Sequence, residues 1–231
     1  MLRPLLPLAL LLLLAGRALA EPPSAGVSDE RILFGQSAAF EGPASALGLE
    51  MRRGILAAFA EANAAGGVQG RQLELVSYDD GYEPERAVAN TLRLLQEDRV
   101  FALIGPVGTP TSAAAAPLAV AAGVPLIGPF TGAEFLRDPE LATVVNLRAS
   151  YFQETARIVE WLVGEQDLSR IAVLYQDDSY GRAGLAGIRA ALGERGMTPA
   201  SLGAYTRNTT AVKRALLAIS AGEPEAVVII G

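Results

Sequence analysis

Two spacings of apolar residues take turns along this chain, one near 3.6 residues and one of 2. RILFGQ, from Arg31, reads as a first strand, and RQLELVSYDD alternates apolar and polar positions as a half-buried strand does. Between them, ALGLEMRRGILAAFAEANAAGG places Leu47, Met51, Ile55 and Phe59 at every fourth residue. Leu56, Ala58 and Ala62 widen that stripe, which predicts an amphipathic helix ended by Gly66-Gly67. PERAVANTLRLLQED opens on Pro84 and puts Ala87, Val88, Thr91, Leu92 and Leu95 on one face. VFALIG and VPLIG are short apolar runs of buried-strand length, each closed by a Gly-Pro turn, with an Ala-rich helix between them. Further on, VVNLRAS, RIAVLYQDD, ASLGAY and EAVVIIG read as strands. YFQETARIVEWLVGEQ is predicted as a helix with Phe152, Ala156, Val159 and Val163 inward, and GRAGLAGIRAALGERG and TTAVKRALLAISAG as two more.

Strands separated by helices of this length pair in parallel, because the crossover is too long for a hairpin. The pattern predicts an α/β architecture of Rossmann-like, doubly wound layers, which hold ligands at the carboxyl ends of their strands. A break falls near Val145 to Ser150, with about four strand–helix units before it and a second set after it. Two lobes facing each other across a cleft are expected, lobe 1 over residues 29–146 and lobe 2 over residues 147–231. EAVVIIG closes the sequence as a strand with no helix after it, so the second lobe is expected to be incomplete and its sheet partly uncovered.

Composition changes this picture at the amino terminus. MLRPLLPLALLLLLAGRALA carries Arg3, an apolar run from Leu5 to Ala15 and then Ala18-Leu19-Ala20, the marks of a secretory signal peptide over residues 1–20. A membrane span needs ~20 apolar residues, more than this run supplies. The mature chain is expected to begin at Glu21 with a short leader, residues 21–28, and to be periplasmic. With no cysteine anywhere, a lipid-bearing Cys, a disulfide and a thiolate metal site are all excluded. No histidine is present either, which removes the commonest general base and the commonest metal ligand. The formal charge of −6 and the absence of any basic run argue against nucleic acid as a partner.

Candidate chemistry concentrates between Val100 and Gly132. Pro is favoured at the start of a helix, where its missing N–H costs nothing, so Thr109 before Pro110 is the expected N-cap. The amides of Thr111 and Ser112 would then lie unpaired at the helix mouth, a place suited to a small anion such as a carboxylate. Thr109 can fill both roles, accepting from an amide while its O–H donates to a ligand. A second polar turn, Pro129-Phe130-Thr131-Gly132, should open on the same sheet edge, and two such turns make a pocket. Thr131 and Glu134 also match a capping box, and Phe130 fits core filler as well as pocket wall. Tyr180, in DDSYGRAG between a strand and a helix, is placed at the mouth of the cleft. Asp177-Asp178 and Asp79-Asp80 have the look of a Mg²⁺ site, but carboxylates after a strand more often cap the next helix. The Gly105–Gly108 turn lacks the Lys of a phosphate loop, and Asn208-Thr209-Thr210 matches a glycosylation sequon. Ser37 and Ser45 have no His to activate them.

Taken together, RILFGQ, NAAGGVQGRQLELVSYDDGYEPERAV, IGPVGT, AAGVPLIGP and RIAVLYQDDSYG resemble the type I periplasmic substrate-binding proteins of ABC importers, in the leucine/isoleucine/valine-binding branch. The likeness covers nearly all of the mature chain and implies two Rossmann-like lobes closing over a ligand. It also implies that Thr109, four residues after the Gly of IGP, grips a ligand carboxylate. Phe130, Thr131 and Gly132 would offer backbone groups and a hydroxyl, and Tyr180 would cover the ligand. Gly132 stands where the family has a hydroxyl residue, with Thr131 one place earlier, and Leu47 replaces a first-lobe aromatic. The resemblance implies an amino acid or similar small carboxylate as ligand, an inner-membrane ABC permease as partner, and no cofactor. A ligand-sensing receptor module of the same fold is the alternative. An exported hydrolase is a third, disfavoured by the lack of His, Cys and any G-x-S-x-G elbow.

Overall fold

The computed structural model describes residues 25–231, so the signal-peptide expectation for residues 1–20 lies outside the described residues. Strands β1 (Arg31–Ala38), β2 (Gln72–Asp79), β3 (Ala102–Ile104), β4 (Leu126–Ile127) and β5 (Val144–Val145) form one sheet in the order β2-β1-β3-β4-β5. Every pairing in it is parallel, and the β1–β2 ladder runs unbroken from Arg31 opposite Gln72 to Ala38 opposite Asp79. Helices α1 (Ser45–Ala64), α2 (Pro84–Gln96) and α3 (Thr109–Ala121) connect the first four strands. A second parallel sheet, ordered β7-β6-β8, is built from β6 (Ile171–Gln176), β7 (Leu202–Tyr205) and β8 (Ala226–Ile230). Its helices are α4 (Tyr151–Val159), continued by a π-helical stretch Glu160–Glu165, then α5 (Ser179–Gly193) and α6 (Lys213–Ser220). α6 begins four residues later than the sequence pattern predicts.

Burial explains the unbroken apolar run of β6. Ile171 and Val173 pack with Val159, Leu185, Ile188 and Leu192 on one face, and Ala172 and Leu174 with Ala215 and Ile219 on the other. A strand covered on both faces has no polar side to show. On β8 only one face is covered: Val228 and Ile230 are buried, while Val227 and Ile229 stand 42% and 69% exposed. The first sheet packs Leu103 and Leu126 against Leu94, Ala116 and Ala119 of α2 and α3.

Two helical faces differ from expectation. In α4 the buried positions are Tyr151, Thr155 and Val159, followed by Leu162, whereas Phe152 is 41% exposed. The rotation is set at the start of the helix. Ser150 accepts from the Gln153 amide and Gln153 returns a bond to the Ser150 amide, a reciprocal cap that turns Tyr151 inward. In α1, Ile55 and Phe59 are buried as the stripe predicts, but Leu56 and Leu47 are about half exposed.

Candidate functional site

Both sheets aim their carboxyl ends at one cleft of about 420 Å³. From the first sheet come Leu47 in α1, Tyr82 after β2, Gly108 and Thr109 after β3, and Phe130 after β4. Arg148 and Tyr151 follow β5, in the segment that crosses to the second sheet. The second sheet contributes Gln176 and Tyr180 at the end of β6, Tyr205 and Asn208 at the end of β7, and Gly231 after β8.

Thr109 lines this cleft but is not the helix cap. Gly108 takes the N-cap position, with φ at 101°, and its carbonyl accepts from the Ser112 amide at 3.1 Å. A left-handed φ suits Gly, and a Cβ here would meet the Tyr82 ring at 2.1 Å. Thr109 is thereby moved one residue into the helix, and its hydroxyl is free to look elsewhere. It bonds Thr131 Oγ1 at 2.7 Å and the Tyr151 hydroxyl at 3.2 Å, and those two are 3.1 Å apart. Three buried hydroxyls therefore lie within hydrogen-bond distance of one another at the mouth of α3.

Thr131, fully buried within this cluster, does not line the cleft. The expected capping box with Glu134 is not formed. A 3-10 turn, Glu134–Arg137, follows Ala133, and Thr131 accepts from the Ala133 amide at 3.2 Å instead. Gly132 is also withdrawn from the cleft lining, pressed against the start of α4. A Cβ on it would lie 2.7 Å from Tyr151 Cδ1 and 2.8 Å from the Tyr151 amide nitrogen. Its carbonyl accepts from that amide at 2.7 Å. A side chain there would force these neighbours to shift. Phe130 is 38% exposed and walls the cleft.

Tyr180 is half-buried, with its ring 5.4 Å from that of Tyr151. Burial, reinforced by Tyr151, pushes its phenol pKa up to about 12. The Tyr82 phenol is raised too, first by burial and then by Asp178. Both remain neutral hydroxyls at ordinary pH, fitted to hydrogen-bond rather than to ionise.

Carboxylates beside the cleft hold loops. Asp178 caps α5 as expected, accepting from the Tyr180 and Gly181 amides at 2.9 and 3.1 Å. Asp79 and Asp80 do not cap α2, whose N-cap is Glu83. Asp79 gathers the amides of Phe40, Glu41 and Gly81, and Asp80 accepts from the Tyr82 amide and the Ser37 hydroxyl, each at 2.9 Å. Among the described residues no cluster of three acidic or His/Cys side chains offers a metal site.

The cleft residues that the sequence reading did not single out include Tyr82 and Arg148. Each follows a strand of the first sheet, so the rule that ligands gather at carboxyl ends is the signal that could have found them. The loop that carries Tyr82 also bridges the two halves. Glu83 pairs with Arg207, and Asn208 Nδ2 donates to Glu83 Oε1 at 2.8 Å and to the Gly81 carbonyl at 3.3 Å.

Two parallel sheets sharing one cleft at their carboxyl ends define the class of two-lobed solute-binding folds. The chain belongs to the periplasmic binding protein family, which it matches over residues 32–231. The Leu/Ile/Val-binding protein homolog 7 of Brucella suis biovar 1 is 31% identical over 214 residues, 89% of this chain and 51% of the relative. An amino acid binding protein of Pseudomonas aeruginosa is 26% identical over 166 residues, 72% of this chain and 44% of its own. A possible leucine/isoleucine/valine-binding protein from Rhodopirellula baltica SH 1 superposes with a TM-score of 0.83 at 41% identity, covering 92% of this chain and 57% of that one. The branched-chain amino acid transporter substrate binding protein LivJ of Streptococcus pneumoniae, solved with isoleucine, gives 0.74 at 25% identity, covering 87% and 57%. The chain spans about half the length of the curated relatives it matches. The fold is that of the type I periplasmic binding proteins, a family of binding proteins rather than enzymes.

Proposed function

We propose that this protein is the extracytoplasmic solute-binding component of an ABC importer, exported by its signal peptide to the periplasm. It takes an amino acid of branched-chain type, or a similar small carboxylate, between two lobes, residues 29–146 and 147–231. The observation that carries this reading is the convergence of two separate sheets on one cleft, with a hydroxyl at a helix mouth inside it. The names of its relatives point the same way.

Binding follows from the hydroxyl cluster. The Thr109 oxygen has two lone pairs, enough to accept from both Thr131 and Tyr151. Its own proton then points to a carboxylate in the cleft, beside the dipole of α3. Phe130 packs on the ligand, Thr131 and Gly132 fix the hydroxyl and the backbone behind it, and Tyr180 closes over it from the second lobe. Closure removes water and strengthens the charge-assisted bonds, and the closed form is what the membrane permease recognises.

A thermal-shift screen of the full-length protein against amino acids and small carboxylic acids tests this. A true ligand at 100 times its Kd adds about 2.7 kcal/mol of stability. No stabilisation by any member would end the proposal. For an identified ligand, Thr109→Ala is expected to cost roughly 1.5–3 kcal/mol of calorimetric binding free energy, the range for a hydrogen bond to a charged group.

A further inference from the structure

Arg148 carries the only charge among the described residues that line the cleft, and it is positive. It enters from the segment between β5 and α4, and its surroundings hold it in place. Its Cζ lies 5.3 Å from the Phe130 ring centroid and 5.5 Å from that of Tyr151, so the guanidinium rests against two aromatic faces. Glu154, one turn into α4, accepts from Nε at 3.1 Å and from Nη2. One edge of the fork is thus fixed, while no described residue bonds Nη1. The pair is about one-third exposed on each side, so Glu154 orients the cation without sealing it from the cleft.

The walls are rich in aromatic side chains. Five aromatic residues line the cleft, Tyr82, Phe130, Tyr151, Tyr180 and Tyr205. Flat faces reward a flat, conjugated ligand through stacking. A guanidinium fork matches a carboxylate in shape and charge. The same cation repels a ligand ammonium.

Resting on the solute-binding reading above, we infer that Arg148 tunes this cleft to planar aromatic carboxylates. The guanidinium meets the carboxylate together with Thr109, and the neighbouring rings stack on the aryl group.

Calorimetric titration of the full-length protein with benzoate, trans-cinnamate, phenylalanine and leucine decides it. Benzoate or cinnamate is expected to bind at least tenfold tighter than either amino acid. Arg148→Met should lower that aryl-acid affinity at least tenfold, and Arg148→Lys should lower it less. Phe130→Leu, which leaves the cation and its Glu154 partner intact, should narrow the preference for aryl acids over leucine. Circular dichroism and thermal melting show whether each variant is folded before it is titrated. Leucine binding tighter than both aryl acids overturns the inference and leaves the general solute-binding reading standing, as does aryl-acid affinity unchanged in both Arg148→Met and Phe130→Leu. If none of the four probes binds, the inference fails, and the wider acid screen then judges the reading beneath it.

Discussion

Asp80 is a carboxyl with no exposed surface, held by the Ser37 hydroxyl and the Tyr82 amide. Burial outweighs those bonds and, aided by neighbouring Asp79, pushes its pKa from 3.8 up to about 6. The folded protein therefore keeps a proton that the unfolded chain has already released. Between pH 3.8 and about 6 the folded state binds more protons, so this group's contribution to stability falls as pH rises through that window. Above it the loss is complete, roughly 3 kcal/mol for a shift of this size. Asp80→Asn keeps an oxygen for the Tyr82 amide and removes the ionisation. Urea denaturation from pH 4 to 7 should show a flatter profile for the variant, with the gain over wild type growing toward pH 7. Equal slopes for both proteins would count against a buried, reluctant carboxylate.

At the scale of elements, the turn Phe130–Gly132 and the start of α4 are one packed unit. Gly132 touches backbone atoms on its neighbour, which move far less readily than a flexible side chain. Gly132→Ala is expected to destabilise the protein by about 1–3 kcal/mol, the usual cost of forcing atoms into a filled space. Equilibrium unfolding measures this, and a neutral result would mean that the turn relaxes away from Tyr151. This contact also shows what the linear pattern reveals and what it hides. The alternation of strands and helices was legible because each element carries its own periodicity, as in β2 and α1. The inward face of α4 was not, because Phe152 and Tyr151 are adjacent and comparably apolar. The Ser150 cap and the hydroxyl partners waiting at Thr109 and Thr131 decide between them. Thr109 lines the cleft, but it does not make the cap that the sequence pattern predicts. Gly108, which takes that place with a left-handed φ, has no room for a Cβ because the Tyr82 ring packs over it from 26 residues earlier in the chain. Arg148 belongs to no local motif, and the order of strands in the sheet brings both it and Tyr82, of the DDGYEP turn, to the cleft.

In the whole molecule, a few side chains from one loop span the cleft. Tyr82 covers Gly108 on the first sheet and has Gln176 of the second beside its phenol, while Glu83 takes both Arg207 and Asn208. Asp80 holds that loop by accepting from the Tyr82 amide. A half-exposed ion pair is worth only about 0.2–1 kcal/mol, and less at high salt. Bonds that exist in one arrangement of the lobes and not in another still shift the balance between them by their full worth. About 1 kcal/mol is roughly a fivefold change in that ratio, and apparent ligand affinity follows the fraction that is ready to bind. Glu83→Ala is therefore expected to raise the radius of gyration seen by small-angle scattering, weaken ligand binding by up to about fivefold, and leave the melting temperature of each lobe little changed. Raising the ionic strength of the wild-type protein should move it part of the way toward the variant. A variant that scatters like wild type and binds as tightly would show that Tyr82 and the rings around it hold the lobes together without the ion pair.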